Sequence, residues 1–159
     1  MALKGDRYEL QTDVSYFMNE VAERGGVVTL ASTSTPSGAA MDSAANVVTY
    51  VANPSGKVPI GILLNDMVNL DLTRQHINWH KDEIQKGGKV TVLRKGYVVT
   101  NKISGTGTPA GGDAAYVADS GLISTSTRGI ALDAGAVKIG RFLTAKDADG
   151  YAKVEINLP

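Results

Sequence analysis

The stretch Lys153-Val154-Glu155-Ile156-Asn157-Leu158 decides the fold class, because polar and apolar residues alternate through it without a slip. A period of two puts Lys153, Glu155 and Asn157 on one face of an extended strand and Val154, Ile156 and Leu158 on the other. One wet face and one buried face is the mark of antiparallel sheet. Asp147 to Gly150 supplies the turn that leads into it. Reading back along the chain, Val137 to Leu143 is the strand before that turn. Ala115 to Ala118 is a weaker strand ahead of the turn residues Asp119-Ser120-Gly121. Tyr97 to Thr100 and Lys89 to Leu93 flank Lys95-Gly96, which reads as the tip of a hairpin. Pro59 to Leu64, Asn46 to Val51 and Gly26 to Leu30 are rich in Val, Ile, Leu, Thr and Tyr. Short strands at this spacing, with turns between them, predict a mainly β domain, a barrel or a sandwich.

Two stretches interrupt the strands. Ala31 to Ala45 and Ser104 to Ala115 are runs of Ser, Thr, Ala and Gly with Pro, and they read as loops. Near the start, Val14, Phe17, Met18 and Val21 recur at i, i+3, i+4 and i+7, which predicts a short helix. Thr12 or Asp13 stands where a helix cap belongs, and Gly25 where a helix stops. Such a short helix is marginal alone in water, so Phe17, Met18 and Val21 must dock. The chain's own core and a neighbouring subunit are both open as the docking site. Asn65 to Gly88 is polar, and it holds the only Trp and both His residues. Its apolar residues Leu70, Ile77 and Ile84 are too sparse for a buried helix. A segment this long between strands is usually functional, and it reads as an extended arm lying across a partner. Trp79 is placed as an interface anchor and Tyr97 as core. Arg74 and Lys81, beside Asp71, Asp82 and Glu83, read as a solvated face, with setting register in a subunit contact as the other reading.

The composition narrows function by exclusion. At 159 residues the chain is about one domain and long enough to bury a real core. Sixteen basic residues balance sixteen acidic ones, with none of the basic excess used to grip phosphates, so no direct nucleic-acid partner is expected. Zero net charge also leaves little repulsion between copies. There is no Cys, which removes disulfides, thiolate catalysis and Cys-based zinc sites. No apolar run is long enough to span a bilayer as a helix, and the first residues lack a signal-peptide pattern. Synthesis in the cytoplasm and no membrane partner are the expectations. His76 and His80 are four apart, but Ile77 stands where a metalloprotease motif requires Glu. A metal site there would need Asp82 and Glu83 and a helix. No GxSxG surrounds a Ser, and the Gly105–Gly111 loop lacks the Lys-Ser/Thr of a phosphate loop. Neither an enzyme nor a cofactor is expected.

Three longer pieces carry a resemblance. These are GDRYELQTDVSYFMNEVAERGGVV near the start, PIGILLNDMVNLDLTRQHINWHKDEIQKGGKVTVLRKGYVVTN over residues 59 to 101, and VKIGRFLTAKDADGYAKVEINLP at the end. In their order they resemble the small decoration, or cement, proteins on the heads of tailed bacteriophages. The resemblance implies a β-barrel or tulip-like domain with extended arms. On that reading residues 1–25 are an N-terminal arm with the short helix. Residues 26–159 are the β-rich domain, with 65–88 as its extended arm. It implies a homotrimer that binds the outer surface of the head and steadies the shell of major capsid protein. Subunit or capsid contacts are expected at Phe17, Met18, Val21, Leu70, Arg74, Ile77 and Trp79. A head-fibre base or adhesin, presenting the Ser/Thr/Gly loops, is the alternative reading.

Overall fold

A computed structural model of the chain describes residues 2–31, 46–66, 83–84, 86–105, 108–125 and 137–159. Over these the chain is strand after strand. They are β1 (Tyr8–Met18), β2 (Ala22–Glu23), β3 (Val27–Leu30), β4 (Val47–Thr49), β5 (Pro59–Asp66) and β6 (Glu83–Ile84), then β7 (Lys89–Thr100), β8 (Ala114–Val117), β9 (Ile123–Thr125), β10 (Lys138–Phe142) and β11 (Ala152–Asn157). A single turn of 3-10 helix covers Asp119–Gly121. Nine of the strands form one sheet in the order β1-β4-β3-β5-β7-β11-β10-β8-β9, and β2 pairs with β6 apart from it.

β1 also pairs with β7. The strands β1, β4, β3, β5 and β7 therefore close into a circuit, and β11, β10, β8 and β9 continue from β7 as a flap. Each circuit strand sends side chains into one buried cluster: Met18, Val48, Val28, Leu63, Val90 and Val92, joined by Ala22 and Ile84. Neighbouring residues on the same strands, Val27, Ile62, Leu64, Leu93 and Val98, face the opposite way. They pack with Ala115, Val117, Ile123, Ile139, Phe142, Val154 and Ile156 of the flap. Both faces of β5 are thus covered, which is why Ile62-Leu63-Leu64 is an unbroken apolar run instead of an alternating one. β11, with one face wet, keeps the alternation read from its sequence, with Val154 and Ile156 buried and Lys153 and Glu155 half-exposed.

The predicted N-terminal helix is not formed. Tyr8–Met18 is an eleven-residue strand. Its even positions, Tyr8, Leu10, Thr12, Val14, Tyr16 and Met18, are mostly aromatic, β-branched or long apolar residues at period two. That competing period wins because β7 offers β1 a ladder running from Tyr8↔Tyr97 to Phe17↔Lys89. Gly25 is left-handed, as a helix stop would be (φ +100°), but it turns β2 into β3. The residues ahead of β1 are also tied down. Leu3 bridges Thr100, Lys4 N donates to Val99 O at 2.9 Å, and Ala2 and Leu3 are buried.

The hairpin expected at Lys95-Gly96 is also absent, because β7 runs straight through it. What changes there is the neighbour: β5 pairs as far as Leu93, and β11 takes over from Lys95. Gly96 (φ +140°) is required by close approach, since a Cβ on it would lie 2.0 Å from the carbonyl oxygen of Tyr8.

The flap is fastened to the circuit through Tyr50. Its hydroxyl donates to Glu23 O (2.6 Å) and accepts from Gly26 N (3.1 Å). Burial pushes that hydroxyl's pKa up, the Gly26 hydrogen bond works against the shift, and Glu23 and Glu20 add to it. Against the Tyr50 ring lies Gly121 of the flap, where a Cβ would come within 2.4 Å of Cδ1. Ser120 N then donates to Val51 O at 2.8 Å.

Candidate partner-binding surface

Four exposed large apolar residues lie near the N-terminal end of the chain, with Leu30, Val58 and Leu143 exposed elsewhere. Tyr8, Leu10, Val14 and Val21 are each about half or more exposed, Leu10 most of all at 66%. Tyr8, Leu10 and Val14 stand on β1, which is held along one edge only over most of its length. Its inner edge pairs with β7, while its outer edge meets β4 only at Phe17↔Val47 and Met18↔Val48, where the circuit closes. From Tyr8 to Tyr16 the outer edge has no strand beside it among the described residues. The β1–β7 ladder slips at three places: between Glu9 and Gln11, Gln11 and Thr12, and Asp13 and Tyr16. Such irregularities bend and twist a strand, and they are frequent at sheet edges.

A row of charges and tyrosines lies beside this strand. Tyr8 stacks on Tyr97 with centroids 6.0 Å apart. Lys153 Nζ sits 3.8 Å above the Tyr97 ring and 3.6 Å from Asp6. Lys4 Nζ lies 4.1 Å above the Tyr151 ring and donates to Asp147 Oδ2 at 2.9 Å. Arg7 pairs with Glu9 at 2.6 Å. The Lys4 bond holds the Asp147 carboxyl below its usual range, helped by the N–H groups of Tyr151 and Asp149, and the Lys4 ammonium is raised in return. Asp13 is also lowered, by the Ser15 hydroxyl first and then by the Ser15 N–H, which donates to Oδ1 at 2.8 Å.

The residues expected at contacts fall into three groups. Met18 is wholly buried inside the circuit, so its side chain is used by the chain's own core. Phe17 is half-buried at the closure point, and Val21 is exposed. Leu70, Arg74, Ile77 and Trp79 lie outside the described residues, as do His76 and His80. Tyr97, expected in the core, is half-buried in the surface stack instead. Ile84, on the returning end of the predicted arm, is buried beside Met18 and Ala22. Sequence reasoning missed Tyr8 and Leu10, although the period-two pattern of β1 carried them. Among the described residues no group of three or more His, Cys, Asp or Glu is placed to hold a metal ion.

An open strand edge with apolar side chains and paired charges can bind another protein. The arrangement is that of a mainly β protein with exposed apolar side chains near its N-terminal end. The family model for the phage structural cement proteins (E217 gp24/Pam3 gp6) matches residues 13–157, most of the chain, and the chain belongs to that family. It is therefore a structural component of a phage particle, and the family is not one of enzymes. No curated protein matches the sequence.

Proposed function

We propose that the chain is a cement protein in the full sense: it binds the outer surface of the phage head and stabilises the shell of major capsid protein. The observation that carries this is the set of exposed apolar side chains Tyr8, Leu10, Val14 and Val21. Patches of this kind mark protein interaction sites. A binder of the assembled shell that ignores free subunits stabilises the shell by mass action, and many copies on one lattice add avidity. The closed circuit with its flap supports the small-barrel or tulip-like reading of the domain, and self-association as a homotrimer belongs to the same reading.

The test uses two of these exposed residues, Val14 and Val21. Val14→Asp with Val21→Asp is expected to leave the melting temperature within a few degrees of wild type, since both are surface positions. Co-sedimentation with empty heads should be lost, and heads coated with the variant should gain no heat resistance. A variant that binds and protects heads as well as wild type overturns the proposal.

A further inference from the structure

Residues 2–4 form a strap that the chain lays into a slot of its own. Lys4 N donates to Val99 O at 2.9 Å and Asn101 N donates to Ala2 O at 3.0 Å, the two bonds that flank a close antiparallel pair at Leu3 and Thr100. Leu3 is buried in the core cluster shared with the flap. Thr100, itself fully buried, holds the wall of the slot by donating through Oγ1 to Gly25 O at 2.8 Å. Outside, the Asp147 carboxylate and the Tyr151 ring take the Lys4 ammonium. The slot thus recognises backbone, one apolar side chain and one cation. We propose that the strap exchanges between copies, so that the slot of one chain holds Ala2, Leu3 and Lys4 of a second copy.

The joint behind the strap supports exchange. Leu3 faces Thr100 and Tyr8 faces Tyr97, five steps on one side against three on the other, so two spare residues loop out. Gly5 and Asp6 in that loop are exposed, and a Cβ on Gly5 would meet nothing within 4 Å. The joint has length to spare, and extended from Lys4 to Tyr8 it reaches at most about 14 Å. A copy that receives the strap must therefore lie against the start of β1. Tyr8 and Leu10 stand there, 54% and 66% exposed while the strap sits in its own slot. The strap makes the same contacts in either slot, so what favours exchange is the apolar surface that the second copy covers. Passed around three copies, the exchange closes a ring; reciprocated between two, it makes a dimer. The inference concerns free chains and does not depend on what binds Val14 and Val21.

The absence of Cys makes the test direct. The Cα atoms of a close antiparallel pair are about 4.5 Å apart, within the range a disulfide spans. A chain carrying both Leu3→Cys and Thr100→Cys should close an internal bridge when dilute. Leu3→Cys chains and Thr100→Cys chains, refolded together from urea at high concentration and oxidised, should give a mixed covalent dimer in about tenfold or greater excess over either homodimer. No excess of the mixed dimer, with the internal bridge closing in the double variant, overturns the proposal. A double variant that stays open overturns it as well, because the strap is then not in the slot. Neither readout involves phage heads, so failure here is distinct from failure of head binding.

Discussion

Gly96 and Tyr50 show how much of the fold rests on single residues. At Gly96 the carbonyl of Tyr8 occupies the space a Cβ needs, and the backbone is left-handed as well. Gly96→Ala is expected to cost about 2 to 6 kcal/mol from strain and crowding together, read by urea denaturation. Tyr50→Phe keeps the ring against Gly121 but orphans Glu23 O and Gly26 N. About 1 to 3 kcal/mol should be lost by the same measurement, with the sheet intact by circular dichroism. Neither role was legible in the sequence. A glycine needed for close approach and a glycine in a hairpin turn look alike in one dimension, which is why Lys95-Gly96 read as a reversal. The Tyr50 hydroxyl finds partners that only the folded chain brings to it.

At the scale of elements, legibility followed how many faces a strand buries. β11 was plain because it has one wet face. β5 was found from β-rich composition, with its alternation erased by burial on both sides, whereas β7 read as two strands because Lys95-Gly96 looked like a turn. β1 was misread because Val14, Phe17, Met18 and Val21 fit a helix while the even positions from 8 to 18 fit a strand. Local spacing cannot settle that contest, whereas a long ladder to β7 does. The docked residues before β1 give a prediction of their own. Removing residues 1–4 deletes the buried Ala2 and Leu3 and the bonds to Val99 and Asn101. Stability should fall by about 2 to 4 kcal/mol, visible as a lower melting temperature. A truncated chain as stable as the full one would show that these residues are a loose arm. The Asp147 turn adds a pH dependence. Its carboxyl is depressed in the fold, so its contribution is complete above the ordinary carboxylate value of about 3.9 and is lost as pH falls through the lower folded value. The stability difference between wild type and Asp147→Asn should therefore close as the solution is acidified below pH ~4, in thermal melts across that range.

For the whole molecule, the cement family and the β class were visible from three separated pieces of sequence in their order. The surface proposed to do the binding was only half visible. Exposed apolar residues and buried ones are the same letters, and what separates Leu10 from Leu63 is that both faces of β5 are packed against other strands while the side chain of Leu10 is left exposed on β1. The even balance of charge, sixteen against sixteen, suits a protein that meets another protein surface more than a phosphate backbone.

β7 touches β1, β5 and β11, and its pairing of Tyr8 with Tyr97 spans more than half the chain. Contacts so distant in sequence make loop closure the slow step of folding, and mainly β chains of this kind fold in about milliseconds to seconds. During synthesis the circuit cannot shut until β7 has left the ribosome, so β1, β3, β4 and β5 wait with open edges. Refolding from urea should then show one slow phase, retarded by changes along the β1–β7 seam and little affected by changes confined to β8 and β9.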